Sequence, residues 1–199
     1  VSRLIVYAGP NGAGKSTLRD IGDDLVEVVI DPDRIAREIA RQATSAIQIE
    51  AGRAAIKLFR RSVSEGRTIS LETTLSGQTI LLRMAEAKRA GYLVELRYVA
   101  LTSAEIHISR VEQRVLKGGH DIPPETIIRR FADSLDNLPK ALQIAHKATV
   151  IDNSDTEKRF LLRAERGVIL QLDPNPPRWF QSRWPEIQSA LATHTGGAG

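Results

Sequence analysis

The segment that most narrows what this chain can fold into is Gly9-Pro-Asn-Gly-Ala-Gly-Lys-Ser16, set directly behind the apolar run Arg3 to Ala8 (RLIVYA). It matches the phosphate-binding loop pattern G-x-x-x-x-G-K-[ST] at every fixed position. Glycines let successive backbone N–H groups curl round phosphate oxygens, and the helix that follows adds the positive end of its dipole. The β-branched run reads as a buried strand, and a helix is predicted from about Lys15 to Ile21. Strand, loop and helix in that order are the context the pattern requires. Gly9, Pro10, Asn11, Gly12, Ala13, Gly14, Lys15, Ser16 and Thr17 are therefore the expected nucleotide-binding residues. Lys15 is expected to reach the β- and γ-phosphates of ATP, Ser16 to ligate Mg²⁺, and Thr17 to add an α-phosphate contact.

The rest of the chain alternates strand and helix patterns. Leu25 to Ile30 reads as a second strand, broken by Asp31-Pro32-Asp33, after which Ile35, Ala36, Ile39 and Ala40 recur at helical spacing. Residues 45–65 form a predicted helix with Ile47, Ala51, Ala54, Ala55, Leu58 and Phe59 inward. Thr68 to Leu71 is the third strand, running into Glu72, Thr73 and Thr74, and a helix over Gln78 to Ala90 stops at Gly91. Leu93 to Leu101 is the fourth strand. Thr102 and Glu105 make a capping box for a helix ending at Gly118-Gly119, and Pro123-Pro124 opens another carrying Ile127, Ile128, Phe131 and Leu135. Thr149 to Asp152 is the fifth strand. Arg159 to Leu172 reads as a hairpin turning at Gly167, with a helix as the competing reading, and residues 178–192 as a closing helix.

This order predicts an α/β, three-layer P-loop NTPase sandwich of nucleotide-kinase type, with a mostly parallel five-stranded sheet and a C-terminal hairpin and helix. The expected organisation is a core over 1–155, an extension over 156–192 packed on the same domain, and a flexible tail over 193–199. Ligands of such sheets sit at the carboxyl ends of the strands, where Asp31, Asp33, Glu72 and Thr74 fall. There is no cysteine, which removes thiolate metal sites and cysteine nucleophiles, and no apolar run reaches the ~18–20 residues of a membrane span. The opening apolar run is also too short for a signal-peptide core, so the expected location is cytoplasmic. With 28 basic and 24 acidic residues interspersed, and aromatics at only 5%, a nucleic-acid partner is disfavoured.

Small-molecule kinases place a substrate-side carboxylate after the second strand. Asp33 is the favoured base for the acceptor hydroxyl, and helix capping is the alternative role for either aspartate. His107, Arg110, Arg114 and Lys117, spaced by 3, 4 and 3, form one basic stripe beside Ile108, Val111 and Val115. Neither arginine has an acidic helix neighbour, so an outside anion such as a transferring phosphoryl group is the expected partner. Leu75-Ser76-Gly77-Gln78 echoes the LSGGQ signature of ABC transporter ATPases, but a helix follows it where that signature needs an apolar strand.

The series GPNGAGKST, VIDPDRIA, SLETTLSG, SRVEQRVLKGGHDIPPETIIRRF and VIDNS resembles the zeta-toxin family of P-loop kinases, over about residues 3 to 155. It is most similar to the short bacterial zeta-toxin-like members. The resemblance implies phosphoryl transfer from ATP to a sugar hydroxyl, which in the studied toxins is the 3′-hydroxyl of UDP-N-acetylglucosamine. By position, Lys15 and Ser16 match the nucleotide and magnesium residues and Asp33 the base. Glu72 and Thr74 match substrate-side positions, and Arg110 matches one of two phosphate-holding arginines. The second arginine has no clear counterpart; His120 lies nearest, and Arg114, Arg129 and Arg130 are the other candidates.

The expected catalytic set is thus Lys15, Asp33, Arg110 and Arg114, with Asp31, Glu72, Thr74 and His120 toward the substrate. Arg53 and Arg61 are further candidates for the cleft. The resemblance also admits a separate antitoxin chain as partner. The competing functions are a stand-alone P-loop ATPase, a nucleic-acid end kinase and a nucleotide-gated binding module.

Overall fold

In the computed structural model, residues 1–20, 25–32, 35 and 45–195 are described, with backbone alone at 45–49 and 195. β1 (Arg3–Ala8) has five buried residues in a row, Leu4 to Ala8, so it has no solvent face and must lie inside a sheet. β3 (Ile69–Thr73) and β4 (Leu93–Ala100) flank it in parallel, placing Val6 opposite both Leu71 and Leu96. β2 (Val28–Ile30) lies outside β3, and β5 (Lys147–Asp152) outside β4, both parallel. β6 (Arg159–Glu165) and β7 (Val168–Leu172) continue the sheet antiparallel, giving the order β2-β3-β1-β4-β5-β6-β7.

The sheet therefore has seven strands rather than the expected five. The C-terminal hairpin is not an appendage but the sheet's own edge, paired to β5 from Lys147↔Glu165 to Asp152↔Arg159. Arg166 (φ 47°) and Gly167 (φ 80°) form its two-residue turn, and the helical reading of this segment does not hold.

Seven helices lie among the described residues: α1 (Lys15–Asp20), α2 (Ser45–Ser64), α3 (Gln78–Arg89), α4 (Ala104–Leu116), α5 (Pro124–Ile144), α6 (Arg178–Gln181) and α7 (Trp184–Thr195). α2 buries Ala51, Ala55, Phe59 and Ser62, a stripe at three- and four-residue spacing, whereas Leu58 is turned to solvent. α4 is capped by Ser103, not by the expected Thr102–Glu105 box. The Thr102 hydroxyl is bonded to Ser154 Oγ at 2.7 Å. The closing helix is two helices, because Pro185 cannot continue a ladder through Ser182 and Arg183, and α7 runs on to Thr195 where a flexible tail was expected. The expected helix through Ala36, Ile39 and Ala40, the side chain of Ile47 and all of Asp33 lie outside the described residues.

One sheet face carries the main core, where Leu4, Val6, Val94, Leu96 and Tyr98 meet Phe59, Met84, Leu138, Phe180 and Ile187. On the other face Val99 and Ile151 pack on Ala13 and Leu18, seating the loop after β1. Trp179 ties the C-terminal segment to the end of β5. Its indole Nε1–H donates to buried Asp152 Oδ2 at 2.8 Å, while Ser154 N–H donates to Oδ1 at 2.9 Å. The carboxylate thus holds the loop beyond β5. Trp179→Phe removes a charge-assisted hydrogen bond and is expected to lower stability by about 1.5–3 kcal/mol, measured by urea denaturation.

Candidate active site

The chain passes from β1 to β2 and β3 on one side and to β4 and β5 on the other, so the sheet order reverses at β1. Ligand-binding crevices open at such points, and the glycine-rich loop occupies this one. Gly9 has φ 139°, and a Cβ there would stand 1.9 Å from Val99 O, so no side chain is admitted. Its N–H donates to Thr73 O at 3.2 Å, fastening the loop to β3. At Gly12 (φ 77°) a Cβ would lie 2.8 Å from His107 O, which lets α4 press against the loop.

α4 secures the loop through His107, which is buried. Leu101 N–H donates to its Nε2 at 3.2 Å, so the ring proton sits on Nδ1, which donates to Asn11 O at 2.7 Å. Burial is the main reason the ring's pKa is pushed down to about 4. The Asn11 carbonyl pulls it up, while Lys15 and Arg110 push it further down. His107 is therefore neutral and does not belong to the basic stripe read from its spacing. Its fully buried position takes it out of solvent that Arg114 and Lys117 share. Arg110, half-buried, donates from Nη2 to Asn153 O at 2.7 Å and Ser154 O at 3.1 Å. Asn153 in turn donates from Nδ2 to Ala13 O at 2.8 Å. Arg110 is thus set behind the loop through Asn153.

In front of the loop lies an open cleft of about 230 Å³. Asn11 and Lys15 form its floor, Asp31 and Glu72 one wall, and Thr79, Ile80 and Arg83 of α3 another. Lys15 is buried, with Nζ donating to Pro10 O at 3.0 Å. Ser16 Oγ lies 3.0 and 3.1 Å from the two oxygens of Glu72 and donates to that carboxylate. Arg19 donates to Glu72 Oε2 at 3.1 Å and stands 3.6 Å from Asp31 Oδ2. Burial raises the Glu72 pKa above the usual carboxylate value, and Asp31 adds to the rise. Lys15, Ser16 and Arg19 pull back only part of it. Burial works against the charge on Arg19, but Glu72, Asp20 and Asp31 outweigh it and hold its pKa up. Thr74 also lines the cleft, its hydroxyl shared with Ser76 Oγ at 2.8 Å.

The oxygen donors suit a magnesium ion. Mg²⁺ is held by hard oxygens, typically one or two from protein and the rest from phosphate and water. Ser16 and Glu72 supply such a pair, already within hydrogen-bond distance. Among the described residues no cluster of three or more His, Cys, Asp or Glu forms a site of the all-protein kind.

The structure brings Lys15, Ser16, Asp31, Glu72 and Thr74 together with the loop. Arg114 and His120 are not brought there. One turn beyond Arg110, Arg114 is carried out to solvent, where it donates to His120 O at 3.0 Å, and His120 is exposed beside it. Arg130 of α5 enters the cleft instead, its Nη1 donating to Asn11 Oδ1 at 3.1 Å. Arg53 is exposed, and Arg61 is exposed and paired with Glu65 at 2.8 Å, away from the cleft lining. Sequence reasoning passed over Arg19, Arg83, His107 as a latch, and Asn153. Only Arg19 carried a signal, as a base one turn after Lys15 facing strand-end acids.

Fold, loop and carboxylate pair define a P-loop protein with a kinase-like α/β sheet. The match to known proteins is specific: the zeta toxin family model covers residues 3–164, and the chain belongs to that family. An uncharacterized protein of Haemophilus influenzae (strain ATCC 51907 / DSM 11121 / KW20 / Rd) is 41% identical over 130 residues, 65% of this chain and 93% of that one. The fold is similar to a structure from the PezAT chromosomal toxin-antitoxin system of Streptococcus pneumoniae. There the TM-score is 0.60 at 16% identity, covering 97% of this chain and 87% of that one. It is also similar to AvrRxo1-ORF1:-ORF2 solved with ATP, with TM-score 0.67 at 16% identity over 97% of this chain and 76% of that one. Membership of this family supports a P-loop kinase or ATPase.

His107 makes the latch sensitive to acid. The folded ring has a pKa of about 4 against 6.5 for a free histidine, so the unfolded chain binds the extra proton between these values. Its contribution is complete above about pH 6.5 and is lost as pH falls toward 4, on the order of 3 kcal/mol in all. Denaturant midpoints measured from pH 7 to 4 are expected to fall more steeply for the wild type than for His107→Gln.

Proposed function

We propose that the protein is a kinase that transfers the γ-phosphate of ATP to a hydroxyl of a small acceptor. The acceptor class favoured by the family is a UDP-amino sugar such as UDP-N-acetylglucosamine. The observation that carries this reading is the cleft in front of the loop. It continues past Lys15 and the Asp31–Glu72 pair to Thr74, Thr79 and Arg83, room that hydrolysis by water does not require. None of the described residues lining it is aromatic, which speaks against a nucleic-acid end whose bases must stack.

In this reading the loop N–H groups and Lys15 hold the β- and γ-phosphates. Ser16 and Glu72 would hold Mg²⁺, which when bound would neutralise charge on the phosphate oxygens. Asp33 accepts the acceptor's hydroxyl proton as the new O–P bond forms and the bond to the β-phosphate bridging oxygen breaks, releasing ADP. Arg130 faces the charge in flight from within the cleft, and Arg110 steadies the loop from behind through Asn153. Residues 156–192 act as part of the same unit as the 1–155 core. A separate antitoxin chain as partner and a cytoplasmic location complete the proposal. They draw support from the toxin-antitoxin system to which the PezAT structure belongs and from the absence, among the described residues, of a helix long and apolar enough to cross a membrane.

The test is incubation with γ-labelled ATP, Mg²⁺ and a panel of UDP-sugars, nucleosides and oligonucleotides. Label is expected on a UDP-sugar. Asp33→Ala is expected to lower transfer by about 10²–10⁴-fold while ATP affinity stays within about twofold. ATP turnover that no acceptor stimulates would make the protein an ATPase instead. Undiminished transfer by Asp33→Ala would remove that residue from the mechanism.

A further inference from the structure

α3 turns Thr79, Ile80 and Arg83 toward the cleft, positions one turn apart on a single helix face. Arg83 differs from the other cations here. Arg19 is clamped on Asp31 and Glu72, and Arg130 is bonded to Asn11. The Nε of Arg83 is buried and has no hydrogen-bond partner among the described residues. Glu86, one turn along the same helix, lies 3.9 Å from Arg60. Burial is the first cause that lowers the Arg83 pKa; Glu86 raises it and Arg60 lowers it further.

A buried guanidinium N–H without an acceptor is costly. The cation cannot be discharged, since arginine does not lose its proton in proteins. A guanidinium lining a cleft is suited to phosphate, whose oxygens it meets through two parallel N–H groups. The γ-phosphate of the donor already has the loop amides and Lys15. Arg83 lines the same cleft from α3.

We infer that Arg83 is the acceptor-recognising residue of this cleft, and that the acceptor carries a phosphate or diphosphate group which Arg83 binds. The inference rests on the kinase reading only in taking the cleft as the acceptor's seat. Arg83 sets which acceptors enter, and Asp33 and the loop act on whichever hydroxyl is then presented.

The test separates anion binding from turnover. The full chain is first saturated with a non-hydrolysable ATP analogue and Mg²⁺, so that the loop is filled, and inorganic pyrophosphate is then titrated calorimetrically. Saturable binding is expected, weakened about tenfold or more in Arg83→Leu and only partly restored in Arg83→Lys, which keeps the charge but not the paired N–H groups. Affinity for the ATP analogue is expected to stay within about twofold in both variants, which also reports that they are folded. Absence of pyrophosphate binding to the wild type, or equal binding by Arg83→Leu, overturns the inference. Failure of the kinase reading is read elsewhere, as a lack of label on every acceptor in the panel. With a labelled acceptor in hand, Arg83→Leu is expected to raise its KM by a similar factor and leave the KM for ATP unchanged.

Discussion

A loop that offers its N–H groups to a phosphate must have its carbonyls held back, and the rest of the site depends on that constraint. Here the carbonyls are held one by one. Lys15 takes Pro10 O, His107 takes Asn11 O, and Asn153 takes Ala13 O. The holders come from the loop's own helix, from α4 and from the turn after β5, so two distant parts of the chain must be in place before the loop has its shape. Glycine at positions 9 and 12 is the other half of the constraint, because β4 and α4 approach too closely for any side chain. The turn after β5 is in its turn fixed by Asp152, and Asp152 by Trp179 from the C-terminal segment. What reads as a peripheral extension therefore reaches the loop in three contacts.

The electrostatics of the cleft follow from crowding. Asp31 and Glu72 end neighbouring strands and are both largely buried, so Asp31 adds to the burial that disfavours the charge on Glu72. Arg19 and Lys15 offset this without cancelling it, as the raised Glu72 pKa shows. A site in that condition would gain from a divalent cation, and a serine hydroxyl and a carboxylate stand together there. On the opposite wall the balance is reversed, with Arg83 and Arg130 lining the same cleft as the acids. The cleft is thus polarised, acid toward the strand ends and basic toward α3 and α5.

Much of this was legible from residue order. The strand–loop–helix at Gly9–Ser16, the strand ends at Asp31 and Glu72 and the parallel alternation all follow from local pattern, because hydrophobic period and turn chemistry are properties of short segments. The basic stripe on α4 was misread for an equally physical reason. Spacing places His107, Arg110 and Arg114 near one another on a helix, but it does not say which side of the helix meets the loop. His107 went inside as a neutral latch, Arg110 turned to the carbonyls of Asn153 and Ser154, and Arg114 was left in solvent. The hairpin over 159–172 was similarly ambiguous, since a seven-residue apolar–polar run suits a sheet edge only once β5 is there to pair with it.

Sequence alone determined that a glycine-rich loop of phosphate-binding pattern joins the first strand to a helix, that the sheet is mostly parallel, and that carboxylates stand at the strand ends beside it. These depend on contacts within a few residues or on a motif whose backbone geometry is carried by its glycines. Tertiary structure alone decided which basic residues face the cleft. Arg83 and Arg130 lie 72 and 119 residues beyond Asn11, and they enter only because α3 and α5 pack beside the loop and the β3 end. Long side chains on separate helices meet a common space through packing, and packing is a property of the whole fold.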